Sequence, residues 1–118
     1  MEQFLMQRDL FGRPIAVQVT HLDSGLHVLL VGGDSTHVGS VSMADGGKLL
    51  CSYAFPTHRE QVISDKWAIC ISAECQCAVT VACGIHYNNA AKHQIVTILR
   101  LTDDLLQELL KKLERTGE

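Results

Sequence analysis

Apolar and polar residues alternate along the first half of the chain and recur at helical spacing along much of the second. Ile15, Val17 and Val19 alternate with Ala16, Gln18 and Thr20, the period of a half-buried strand. Asp23-Ser24-Gly25 is a turn signal, and Leu26 to Val31 is a second apolar strand, so the two runs predict a hairpin. Gly32-Gly33-Asp34 ends that strand, and His37 to Ala44 reads as a third. Asp45-Gly46-Gly47 turns the chain into a fourth, Lys48 to Tyr53. Pro56 breaks the pattern, and Ser64 with Asp65 predicts a helix start, because a serine side chain accepts from the free amides of a first turn. Ile63, Trp67, Cys70, Ile71 and Glu74 fall at helical spacing behind it. Cys77 to Ile85 returns to strand character, and Ala90 to Leu101 reads as a helix with Ile95, Ile98 and Leu99 on one face. A last helix is expected after Thr102 as cap, with Asp103 and Asp104 at the positive end of its dipole. Leu105, Leu106, Leu109, Leu110 and Leu113 form its stripe, and Lys111, Lys112 and Arg115 suit its negative end. Strands come first and helices later, with one strand between helices. That order predicts an α+β fold, a mainly antiparallel sheet with helices packed on one face.

Composition narrows the class. The chain has 118 residues and no linker-like or repeated stretch, which fits one domain over 1–118. Apolar residues make up 47% and charged residues 19%, the balance of a globular protein. A net charge of -3, with the ten Lys and Arg scattered or on the last helix, argues against nucleic acid as partner. No apolar run approaches the roughly 18 residues of a membrane span. The start, MEQFLMQRDL, lacks the features of a signal peptide, so a cytoplasmic protein is expected. Five cysteines, an odd number, fit a reducing compartment. Cys75-Gln-Cys77 lacks the two-residue spacing of redox and zinc motifs, and Cys70, Cys75, Cys77 and Cys83 read as small buried hydrophobes.

Three segments join a histidine to permissive backbone. The first is Gly32-Gly33-Asp34-Ser35-Thr36-His37-Val38-Gly39, neither a P-loop nor a dinucleotide fingerprint, read either as a turn or as an anion-facing strand end. The second, Phe55-Pro56-Thr57-His58-Arg59, precedes the first helix and suits either a solvated loop or a phosphate grip. The third is Cys83-Gly84-Ile85-His86-Tyr87-Asn88-Asn89 with Lys92 and His93 behind it, where polar residues follow a buried strand abruptly. No serine nucleophile elbow and no paired carboxylates placed for acid–base work accompany them. The acidic residues fall at turns and helix ends, where solvation explains them.

Taken in order, GGDSTHVGSVSMA, FPTHREQVISDKWA, CGIHYNNAAKHQI and LTDDL resemble the prenylated-flavin chaperone family, whose members accompany UbiD-type decarboxylases. The resemblance runs from Ile15 to Leu113. It implies a fold similar to proteasome assembly chaperones, a homodimer, and a non-enzymatic accessory role. The implied work is to bind reduced prenylated FMN and pass it to the decarboxylase. The matching positions are Gly32, Gly33, His37 and Gly39; Phe55, Pro56, Thr57 and His58; and Gly84, Ile85 and His86, with Asn88 and Lys92 close behind. The chain departs from the family pattern after His58, where Arg59-Glu60-Gln61 follows with no glycine. Under this resemblance, amides near Gly32 and Gly33 with Arg59 or Lys92 would hold the phosphate, and the histidines would meet the polar edge of the ring. Two other readings stand beside it. One is an interaction or assembly module without cofactor. The other is a metal protein using His37, His58 and His86.

Overall fold

The computed structural model describes residues 1–56 and 60–116, the last two of these by backbone alone. The elements follow as β1 (Glu2–Leu10), β2 (Arg13–His21), β3 (Leu26–Gly33), β4 (Ser40–Asp45), β5 (Lys48–Ala54), α1 (Gln61–Cys75), β6 (Ala78–His86) and α2 (Lys92–Thr116). The strands form one sheet in the order β1-β2-β3-β6-β4-β5. Only β3 and β6 run parallel; the other neighbours are antiparallel. This is the expected α+β class. The strand β1 goes beyond the pattern in the sequence: Phe4, Met6 and Leu10 carry its inward face, but Leu5 and Arg8 interrupt the alternation.

Strand alternation sorts the sheet into two faces. One inward row reads Met6, Val17, Leu30, Cys83, Ser40 and Ala54 across the six strands, and the next reads Phe4, Val19, Val28, Val81, Ser42 and Ser52. Aliphatic residues fill these rows on β2 and β3, and serines fill them on β4. The two helices divide the face along that line. α1 packs on β4, β5 and β6. The C-terminal half of α2 supplies Leu105, Leu106, Leu109 and Leu113 to the same core as Val17, Val19 and Leu30. Arg8 pairs with Glu108, and Lys112 lies over the Phe4 ring, fixing α2 to the β1 edge.

Helix α1 buries Ile63, Ser64, Trp67, Ala68, Ile71 and Ser72. Ser64, Ala68 and Ser72 stand one turn apart and are small, so the helix can approach the sheet closely. The expected cap at Ser64 is therefore displaced. The helix begins at Gln61, Glu60 occupies the N-cap position without a side-chain cap bond, and Ser64 lies within the first turn. Its hydroxyl is spent on the sheet, at 2.8 Å from that of Ser40 and 2.6 Å from that of Ser42. Ser42 donates to Asp65 Oδ1 at 2.6 Å, so its oxygen accepts from Ser64, whose proton is shared with the Gln61 carbonyl at 3.3 Å, and Ser64 accepts from Ser40. The result is a directed chain of buried hydroxyls ending on a carboxylate.

The two helices expected after Ala90 are one continuous helix. Thr102 does not cap; it is 2% exposed, and its hydroxyl donates back to the Leu99 carbonyl at 2.9 Å within the helix. Asp103 pairs with Lys66 of α1 at 2.7 Å instead of facing a free helix end. Of the apolar face read over Ile95, Ile98 and Leu99, only Ile98 is buried. No described helix is long and apolar enough to cross a membrane. Cys83 is buried and Cys70, Cys75 and Cys77 are half-buried, as expected, while Cys51 is exposed on β5. Burial, with the neighbouring Cys77 and Glu74 adding to it, pushes the Cys75 thiol up to about 11.

The hydroxyl chain has a measurable worth. Ser64→Ala leaves Ser40 and Ser42 without their shared partner and is expected to lower the unfolding free energy by about 1–3 kcal/mol, read from urea denaturation.

Candidate functional site

Parallel pairing sets the carboxyl ends of β3 and β6 side by side, with Gly33 opposite His86. From there the chain leaving β3 passes to β4 on the far side of β6, and the chain leaving β6 enters α2. Such a divergence beside parallel strand ends opens a crevice in many α/β sheets. Here residues 34–39 are laid across it at very close range. A Cβ on Gly84 would collide with the His37 carbonyl, and one on Gly33 (φ +88°) with the His86 carbonyl. Asp34 N donates to that His86 carbonyl at 2.7 Å, and Gly39 N donates to the Cys83 carbonyl at 2.8 Å.

These contacts revise the role expected of the first glycines. Gly32 is held within the sheet between Ile15 and Ile85, and the amide following Gly33 is already spent on β6. The carboxylate of Asp34 also occupies this end, accepting from Asn88 N at 2.9 Å and facing Arg13 Nε at 3.4 Å. The glycines permit close backbone approach; they do not form an open cradle of amides.

The loop brings His37 to His86, with ring centroids 6.5 Å apart and planes nearly perpendicular. Nδ1 of His37 donates to the Ser35 carbonyl at 3.1 Å, and Nε2 lies 3.0 Å from Glu60 Oε1. His86 Nε2 donates to Asn88 Oδ1 at 3.0 Å. Glu60 is 8% exposed, and its Oε2 is buried without a hydrogen-bond partner among the described residues. Burial first, and then the Glu60 charge, push the Cys83 thiol far above its ordinary range. Val38, Tyr53 and Phe55 form an exposed apolar ledge at the same end, tied in by Phe55 N donating to the Gly39 carbonyl at 2.9 Å. Tyr53 and Phe55 meet edge to face at 5.2 Å. Lys92 is exposed at the head of α2.

His58 and Arg59 lie outside the described residues. Among the described residues no three His, Cys, Asp or Glu side chains gather as a metal site.

A sequence model of the prenylated flavin chaperone LpdD-like domain matches residues 11–114. The chain belongs to this family. It is also similar to Protein LpdD of Lactiplantibacillus plantarum, 28% identical over 94 residues that cover 75% of this chain and 69% of that protein.

In this LpdD-like domain the positions Gly33, His37, Gly39, Gly84, His86 and Asn88, all marked by their sequence, converge at one end of the sheet. Three further participants carry no such mark. Glu60 reads with the other acidic residues as solvated, although it directly follows the His58-Arg59 pair. Asp34 reads as a turn residue, and Arg13 precedes any recognisable motif. No local signal announces their convergence, because β2, β3 and α1 meet here only through the sheet order.

The glycine contacts are directly testable. Gly84→Ala is expected to displace the His37 loop and destabilise the fold by about 1–3 kcal/mol, as overpacking does. Thermal melting together with the His37 ring-proton shifts checks both effects.

Proposed function

We propose that this protein is a non-catalytic accessory factor, a single cytoplasmic domain that binds reduced prenylated FMN and delivers it to a UbiD-type decarboxylase. The observation that carries the reading is the convergence of His37, His86 and Glu60 beside the apolar ledge of Val38, Tyr53 and Phe55, in a chain of the prenylated flavin chaperone family. The ligand joins a flat ring with a polar edge to a phosphate. The ledge suits the ring face, and His37, His86 and Asn88 suit its edge. Both helices begin at this end, so their positive dipole ends favour the phosphate. Lys92, Arg13 and, in this proposal, His58 and Arg59 supply charge or hydrogen bonds to it. The bound group is cargo here, and its chemistry belongs to the decarboxylase. Five free cysteines support the cytoplasmic setting.

The test is retention. Mixed anaerobically with reduced prenylated FMN, the protein is expected to carry about one equivalent through a desalting column, and a His37→Ala/His86→Ala variant much less. Equal retention by the two proteins, or none by either, would overturn the reading.

A specific observation also favours self-association. The helix-free face of the sheet carries the row Leu5, Gln18, Leu29, Ala82, Val41 and Tyr53, and beside it Gln3, Thr20, His27, Thr80, Met43 and Cys51. Neither row holds a carboxylate, lysine or arginine, the depletion typical of an interface centre. Six strands about 4.8 Å apart and about seven residues long present roughly 600 Å², close to the roughly 800 Å² that each partner gives a standard interface. A homodimer closing over this face is part of the proposal. Leu29→Asp is expected to convert it to monomer in sedimentation velocity, and a wild-type protein that is monomeric at about 100 µM argues against it.

A further inference from the structure

The first half of α2 is not used by the core. From Lys92 to Arg100 only Ile98 is buried, whereas the second half buries Leu105, Leu106, Leu109 and Leu113. Ile95 is 48% exposed, Val96 53% and Leu99 43%, and Val62 at the head of α1 is 74% exposed. Single exposed apolar residues are ordinary, but these four are contiguous. Val62 and Leu99 share a groove between the two helices, and Ile95 and Val96 stand one turn before Leu99. The groove is a cavity of about 190 Å³, lined also by Lys66, Asp103 and the buried Trp67.

Its size limits what it can take. Sites that enclose a small ligand measure roughly 300–1,000 Å³. A cavity of roughly 150 Å³ holds a benzene ring. The groove therefore suits one aromatic or branched side chain and not a whole cofactor. The charge beside it has one sign. Residues 92–102 include Lys92, His93 and Arg100 and no Asp or Glu, in a chain of net charge -3. Lys92, Val96, Leu99 and Asp103 follow at helical spacing and share a face, and Asp103 is already paired with Lys66 at 2.7 Å. Neither Lys92 nor Arg100 pairs with a carboxylate among the described residues. The positive end of the α2 dipole adds to their field.

We propose that this groove and the apolar stripe beside it are a docking surface for an acidic amphipathic helix of a partner protein. One apolar side chain of that helix enters the groove against Trp67. Its neighbours one turn away cover Ile95 and Val96, and carboxylates flanking them meet Lys92 and Arg100. This is the helix-in-groove mode, with anchors at i, i+3 or i+4, and i+7. The surface lies on the helical side of the sheet, so it stays open when a second copy covers the helix-free face. The inference does not depend on what the β3–β6 end binds.

The test uses the whole protein and two synthetic helices of about 18 residues, long enough to hold helical structure. Both carry leucine at the anchor positions; one has glutamate on its flanks and the other lysine. Anisotropy of a dye on the peptide gives the affinity, and Trp67, the single tryptophan, reports whether the groove is filled. The glutamate helix is expected to bind about tenfold or more tightly than the lysine helix and to change Trp67 emission saturably. Leu99→Glu and Val96→Glu, both at exposed positions, are each expected to weaken it about tenfold or more. Val96 lies outside the cavity lining and decides the matter if Leu99→Glu does not fold. Equal binding of the two helices, no binding of either, no change in Trp67 emission, or wild-type affinity in a folded variant would overturn the proposal. Preference for anionic phosphatidylserine vesicles over the glutamate helix would overturn it in favour of a lipid surface. A change in sedimentation of the protein alone on Leu99→Glu would overturn it in favour of a second copy.

Discussion

The parallel pairing of β3 with β6 is the constraint on which the rest of this structure depends. A parallel neighbour needs a long crossover, and here that crossover contains the β4–β5 hairpin and the whole of α1. The pairing places β6 at the centre of the sheet, between the N-terminal strands and that hairpin. It also aligns two carboxyl strand ends, so that the chain leaving β3 must pass the end of β6 before it can return as β4. Gly33 and Gly84 are the sites where that passage is too close for side chains. The placement of His37 beside His86 follows from this crossing.

Burial on the two sides of β6 is solved differently. Toward β1 the inward rows are apolar, and the leucines of α2 cover them in the ordinary way. Toward β5 the rows turn to serine, and α1 answers with Ser64 and Ser72. A polar core of this kind is stable only when every member finds a partner, and the chain from Ser40 through Ser64 and Ser42 to Asp65 meets that condition. The small side chains bring the start of α1 close to β4, which in turn holds Glu60 against Gly39 and His37. Glu60 thus departs from the rule its neighbours obey. One oxygen is paired and the other is not, at the end of the sheet where a ligand is expected.

The helix-free face and the end of the sheet that carries His37 and His86 meet at one edge. With both helices on one side, the opposite side of the sheet is left with apolar and uncharged polar residues over its central rows. The His37 carbonyl rests on Gly84, which lies on that same side. A second copy covering the face would therefore approach the loop that carries His37, so self-association and ligand binding would share a boundary.

By itself the sequence determined the fold class, most strand positions, the helical character of the second half and the histidine–glycine segments of the site. Those features are written in short-range periodicity and in glycines that no other residue can replace at close backbone contacts. Only tertiary structure decided the rest. Ser64 reads as a cap because capping and burial use the same hydroxyl, and the serines of β4 that claim it lie more than twenty positions away. Thr102 reads as a helix start because a β-branched residue before two aspartates is ambiguous until Lys66 of α1 is seen to hold Asp103. Glu60 reads as solvated because nothing local distinguishes a carboxylate at a helix start from one buried against a distant histidine. The convergence of the histidines was a possibility in the sequence. The order of the strands made it a fact for His37 and His86, because contacts across a sheet depend on which strands are neighbours and not on their spacing along the chain.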